Sequence, residues 1–254
     1  MSRATQAVLG GLGLLLLWAC SSGESSPPGA PQQAPEVEPT QPPAPPPEVL
    51  AELKREEPLA LHMRDHVGIA TQARDAIIRG QLAGATGALT WLAQHHEPKE
   101  DPAARPFLER VQQSAQRGLD AADLRAAGEA TGALAAACGD CHRAQGRGPK
   151  LEPSGFEDLD EPITLETHMH GYLYATDALW NALIADAALW ETGVATLATL
   201  KPPAAPRKLA RGFAEIPAWA KRAAGAKTSA ERAQVYGELI AHCGTCHVAN
   251  AVVP

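Results

Sequence analysis

The chain has 254 residues, 45% of them hydrophobic and 4% aromatic, with 22 Lys+Arg against 29 Asp+Glu and a formal net charge of −7. Such a length holds one or two domains of ordinary size. The acidic balance excludes nucleic acid as the natural partner, because binding a polyanion needs a basic surface, and a composition poor in aromatics favours helix over sheet.

Residues 1–20 read as a signal peptide. One cation, Arg3, precedes an apolar run from Ala7 to Ala19, which ends at Cys20. At about 1.5 Å of rise per residue this run is too short to cross a hydrocarbon core of about 30 Å, so it is an export signal rather than a membrane span. Its end, Leu17-Trp18-Ala19-Cys20, resembles the lipobox of bacterial lipoproteins. The resemblance implies that Cys20 is lipidated and becomes the new N-terminus. By the same resemblance, Ser21 implies the outer membrane of a Gram-negative bacterium, with the chain held on the periplasmic side by its lipid anchor alone.

Residues 21–48 carry ten of the 22 prolines and no strongly apolar side chain beyond Val37. Such a segment cannot bury enough apolar surface to offset the entropy of ordering it, and proline keeps it extended. It reads as a disordered tether.

From residue 49 onward the chain repeats itself at an offset of 106. Leu59, His62, Met63, Ala76, Ile78, Gly87 and Thr90 fall on Leu165, His168, Met169, Ala182, Ile184, Gly193 and Thr196. Near the end of each copy the offset is 105, where Cys138-Gly139-Asp140-Cys141-His142 matches Cys243-Gly244-Thr245-Cys246-His247. Methionine is rare enough for its repetition to carry weight: apart from the initiator, the chain's Met residues are these two. Two similar helical domains are therefore expected, 49–152 and 153–254, joined where Gly and Pro punctuate residues 143–162.

Within each copy the apolar pattern has a helical period. The first helix of copy one opens near Pro58, a residue tolerated in a first turn, and its stripe is Leu59, Met63, Val67, Ala70, Ala73 and Ile77. The corresponding stripe of copy two is Leu165, Met169, Leu173, Thr176, Leu179 and Leu183. Second helices are expected over about 82–95 and 187–200, each followed by a proline-rich break and a third helix. Fourth helices are expected to begin at Asp120 and at Thr228, the latter with Glu231 completing a capping box. The fold class is all-α, two tandem four-helix bundles.

Both fourth helices end in Cys-x-x-Cys-His. Two thiols one helical turn apart can each form a thioether with a haem vinyl group, and the adjoining His can then reach the iron. Cys138 and Cys141 with His142, and Cys243 and Cys246 with His247, are thus read as attachment sites for two covalently bound haems c. A zinc ribbon would place its Cys pairs about 15–20 residues apart rather than a domain apart. Disulfides within each motif leave the two histidines unexplained, and a redox dithiol expects a strand-helix context.

A haem motif on the last helix of a four-helix domain resembles the class II c-type cytochromes, the cytochrome c-prime family. The resemblance implies His142 and His247 as proximal ligands. In the low-spin branch of that family a Met from the first helix supplies the distal ligand, the place in which Met63 and Met169 stand. His62 and His168, also repeated, are the alternative distal donors. Neighbouring residues diverge by about 100° around a helix, so Met and the preceding His cannot both face one iron, and the apolar stripe favours Met. His66 and His170 are not repeated, since they align with Tyr172 and Arg64, and His95, His96 and His242 read as rim residues. The basic run Lys201, Arg207, Lys208 and Arg211 reads as a solvated face.

The expectation is an exported dihaem cytochrome that passes single electrons between redox partner proteins and is not an enzyme. A homodimer is compatible with the class II resemblance. The alternatives are a gas-binding cytochrome, which requires a vacant or displaceable distal site, and a dihaem peroxidase, for which the sequence offers no general acid-base pair.

Overall fold

Pro58 opens the first helix and a chain of caps and breakers delimits the rest. The computed structural model describes residues 58–95, 102–151, 164–201, 203 and 207–251. Cys20, the signal peptide, the tether and His96 lie outside the described residues, as do the side chains of Leu59, Arg207, Lys208 and Arg211. Every regular element among the described residues is a helix. In chain order these are α1 (Pro58–Ile78), α2 (Leu82–Gln94), α3 (Arg105–Leu119), α4 (Leu124–Ala144), α5 (Leu165–Ile184), α6 (Leu189–Thr199), α7 (Arg207–Ala214), α8 (Ile216–Gly225) and α9 (Ser229–Ala249). None is long and apolar enough to cross a membrane.

Local chemistry explains the boundaries. Gly80, at φ 74°, closes the turn after α1 in a conformation that costs a glycine nothing. The start of α4 is fixed by Asp123, whose side chain accepts from the Ala126 N–H at 2.8 Å. Asp120, expected at this start, instead ends α3, donating its backbone N–H to Gln116. At α9 the Glu231 N–H donates to Thr228 Oγ1 at 3.2 Å, and the Thr228 N–H donates to Glu231 Oε2 at 2.9 Å. That is the expected capping box.

Copy two departs from copy one in its third helix, which is divided into α7 and α8 at Glu215 with Pro217 just inside α8. Proline has no N–H to continue the preceding helix and is tolerated in the first turn of the next. The stripe expected on α5 is also only partly internal. Leu179 and Leu183 are buried, but Leu165 and Leu173 are 41% and 47% exposed. His168 and Tyr172 occupy the buried side of that end of α5 instead.

In the first half α1 packs on α2, α2 on α3, α3 on α4, and α4 returns to α1. In the second half α5 packs on α6, α6 on α8, and α9 on α5, α7 and α8. The described residues of both halves fall in one compact unit. Its most extensive helix pair is α4 against α9, and α1 also meets α9 while α5 meets α4.

The crossing of α4 and α9 is close enough to need residues without a Cβ. A methyl on Gly128 would meet the Gly237 carbonyl, and one on Gly132 would meet the Ala233 carbonyl. At the offset of 105, Gly128 corresponds to Ala233 and Gly132 to Gly237, so the two contacts are the same contact with the copies exchanged. Such reciprocity is the mark of an approximate two-fold relation, here within one chain. Arg74 and Trp180, equivalent at the offset of 106, meet each other with the guanidinium 5.4 Å from the ring centroid. The same buried guanidinium pairs with Asp177 of α5 at 2.7 Å and with Asp75 at 2.6 Å.

Candidate functional site

Each copy contains a cavity that joins its first helix to the end of its fourth. In copy one a cavity of about 230 Å³ is lined by Met63, His66 and Val67 of α1, by Phe107, Leu108 and Val111 of α3, and by Cys138, Cys141 and His142 of α4. Ile184, from the other half, closes it. A neighbouring space of about 510 Å³ shares Met63, Val67, His142 and Arg147 and adds Arg64 and Lys150, so the outer rim is cationic. In copy two a cavity of about 120 Å³ is lined by Met169 and Tyr172 of α5, Leu209 and Phe213 of α7, Ile216 of α8, and His242, Cys243, Cys246 and His247 of α9. The structure thus brings the repeated Met and the Cys-x-x-Cys-His motif of each copy to one space. The two motifs stand at different cavities, an arrangement that no shared zinc ribbon would have.

The alternative donors do not themselves line these cavities, though each adjoins a residue that does. His62 is absent from the lining of the first cavity and His168 from that of the second. His168 is fully buried, edge-on to Tyr172 and to Phe213 with centroids 4.6 and 4.9 Å away. Burial holds its pKa below the usual imidazole range, with the Lys201 backbone acting weakly the other way.

The motif histidines are oriented across the two-fold relation. His142 Nδ1 lies 2.8 Å from the main-chain oxygen of Ile184, so the Nδ1–H donates and Nε2 keeps its lone pair. His247 is bonded in the same sense to the Ile78 backbone, and burial lowers its pKa. Ile78 and Ile184 are themselves equivalent. The glycine of each motif makes this approach feasible: a Cβ on Gly139 would strike the Leu183 carbonyl, and one on Gly244 the Ile77 carbonyl. The repeated Gly within Cys-Gly-x-Cys-His is therefore a packing requirement set by the other copy's first helix.

Burial pushes the Cys138 and Cys243 thiols up to about 12, and the neighbouring motif Cys adds to the shift in each case. A redox dithiol needs the opposite, a thiolate stabilised near neutral pH.

His66, His95 and His242, which the duplication does not repeat, are all half-buried. His242 lines the second cavity, with Nδ1 3.4 Å from Glu215 and Nε2 3.2 Å from the Gly212 carbonyl oxygen. His66 lines the first cavity, and with His62 and His95 it forms a cluster of imidazoles whose candidate ligand atoms all lie within 4.8 Å of one another. Spacing held the signal: His62 and His66 are four apart on α1, and Trp91 and His95 are four apart at the end of α2, so each pair shares a helix face. Comparing the copies position by position hid it, because only His62 is repeated.

No protein-family model, curated protein or solved structure matches the chain.

Proposed function

We propose that the chain is an exported, lipid-anchored dihaem c-type cytochrome of the class II kind. Two tandem four-helix bundles would pass single electrons between redox partner proteins at the periplasmic face of a Gram-negative outer membrane. The observation that carries this reading is that each copy's Cys-x-x-Cys-His motif and its repeated Met line one cavity. Neither residue class is common in the chain, and they lie about 75 residues apart in sequence.

The donor set suits the group. Cys138, Cys141, Cys243 and Cys246 would anchor two haems c as thioethers, and His142 and His247 would each offer a ring nitrogen, Nε2 in His142, the ring being held by the backbone of the opposite copy. Met63 and Met169 would supply a thioether, a soft ligand that raises the reduction potential. Bound there, haem supplies iron that exchanges one electron at a time. Apolar residues such as Val67, Leu108 and Val111, or Leu209, Phe213 and Ile216, exclude water, while Arg64, Arg147 and Lys150 offer cations for carboxylates at the first rim.

Of the two neighbouring spaces of copy one, that of about 510 Å³ falls within the range of about 300–1,000 Å³ usual for cofactor sites and that of about 230 Å³ lies below it. The 120 Å³ of copy two also lies below it.

A second distal donor is available in copy one, since His66 lines the same cavity as Met63. A gas-binding or peroxidase role would instead need an iron left open, and a thioether at each cavity argues for closed iron. The reading is tested by the mass and alkaline pyridine spectrum of the purified chain. Two covalently held haems are expected, falling to one when Cys138 and Cys141 are both replaced by Ala. A chain exported and folded without covalent haem would overturn it.

A further inference from the structure

His62, His66 and His95 are half-buried at the place where α1 passes the end of α2. The Nε2 atom of His62 lies 3.1 Å from that of His66 and 3.4 Å from that of His95. A tetrahedral ion with metal–nitrogen bonds of about 2.0–2.1 Å separates its ligand atoms by about 3.3 Å. Two of the three nitrogen pairs thus stand at coordination spacing, and the candidate ligand atoms of all three residues lie within 4.8 Å of one another.

Neighbouring groups hold them there. Trp91 stacks on His95 with centroids 4.0 Å apart and stands edge-on to His66 at 5.0 Å. The Gln112 side-chain amide of α3 donates to the His95 carbonyl oxygen at 2.8 Å, fixing the backbone where α2 ends. His62 and His66 are fixed by the i, i+4 geometry of α1.

We propose that His62, His66 and His95 form a three-imidazole site for one divalent transition-metal ion, Zn²⁺ or Cu²⁺. Imidazole nitrogen donors select borderline ions over Mg²⁺ or Ca²⁺. The site does not depend on the haem assignment. Its contact with the first cavity is His66.

The stoichiometry is distinctive, because the duplication does not repeat this site. At the offset of 106 the three ligands correspond to His168, Tyr172 and Lys201, and Trp91 corresponds to Leu197. One ion per chain is expected, not one per copy.

The test is a titration of the purified chain, in the haem state in which it is isolated, with Zn²⁺ against a chromophoric chelator and with Cu²⁺ followed by electron paramagnetic resonance. Wild type should take up one ion per chain in addition to any iron, with a multi-nitrogen Cu²⁺ signal. His95→Asn and His62→Asn should each weaken binding at least about tenfold, the loss that even outer partners of metal ligands can produce. His170→Asn, an exposed residue of copy two, should leave it unchanged. Circular dichroism identifies variants that fold, and the two ligand substitutions sit on different helices, so a folded one suffices. Uptake of no ion or of two, or undiminished binding in a folded ligand variant, would overturn the proposal. So would a change in the iron spectrum on replacing His95, since the cluster would then belong to the haem site.

Discussion

His142 of the first copy donates its Nδ1–H to the carbonyl oxygen of Ile184 of the second, at 2.8 Å, and His247 makes the reciprocal bond to the backbone of Ile78. Neither motif histidine is oriented by its own half alone. The duplication is therefore a structural condition of the site, and the closely crossing pair α4 and α9 holds the two halves in that register.

The first prediction concerns the glycine that permits this approach. Gly139→Ala places a methyl against the Leu183 carbonyl, forcing α4 and α5 apart, and should cost about 1–3 kcal/mol by analogy with overpacked cores. Gly68→Ala, on α1 with nothing within 4 Å of the new methyl, should gain about 0.5–1 kcal/mol by helix propensity. Denaturant melts check both. Equal stability of Gly139→Ala and wild type would contradict the close contact.

A second prediction concerns the ion pair across the halves. Arg74 is buried and pairs with Asp177 at 2.7 Å. Truncation by Arg74→Ala strips a largely buried carboxylate of its cation and should cost about 3 kcal/mol. A double change, Arg74→Met with Asp177→Leu, should recover part of that loss, because it removes the Asp177 charge together with its cation and leaves Asp75, the more exposed of the two carboxylates. Urea midpoints of the single and double variants measure the difference.

The cap of α9 gives a pH-dependent prediction. Backbone N–H groups of Thr228 and Lys227 donate to the Glu231 carboxylate and hold its pKa below the ordinary 4.5. A folded pKa below the unfolded one means stability that is fully present above about pH 4.5 and lost as pH falls through the folded value. Glu231→Gln should flatten the acid limb of a melting-temperature profile. Thr228→Ala should cost about 1 kcal/mol at neutral pH.

Helix class and most element boundaries were legible in the sequence, because Thr228 with Glu231, Pro58 and the apolar periods are local signals. The start of α4 was misassigned because Asp120 and Asp123 both have capping chemistry, and only contacts with the following N–H groups distinguish them. The division between α7 and α8 follows from Pro217, a breaker for which copy one has Val111 at the equivalent position. The grouping of Met63 with Cys138 and His142, and of Met169 with Cys243 and His247, came from the class II resemblance together with the repetition, and the cavities bring those residues together. What repetition could not reveal was any contact between copies. The purpose of Gly139 and Gly244, the carbonyls of Ile78 and Ile184, and the pairing of Arg74 with Asp177 all depend on the two-fold arrangement. The cluster of His62, His66 and His95 was missed for the converse reason, since it belongs to one copy alone.

The most direct test of the proposed function is the visible spectrum of the oxidised protein and of its Met63→Ala and Met169→Ala variants. Wild type should be low-spin with the weak thioether-to-iron band at the red end. Each substitution should remove about half of that band and convert one iron to a high-spin or ligand-accessible form. A wild-type spectrum of five-coordinate high-spin iron, unchanged by either substitution, would contradict ligation by Met63 and Met169 and with it the electron-carrier reading.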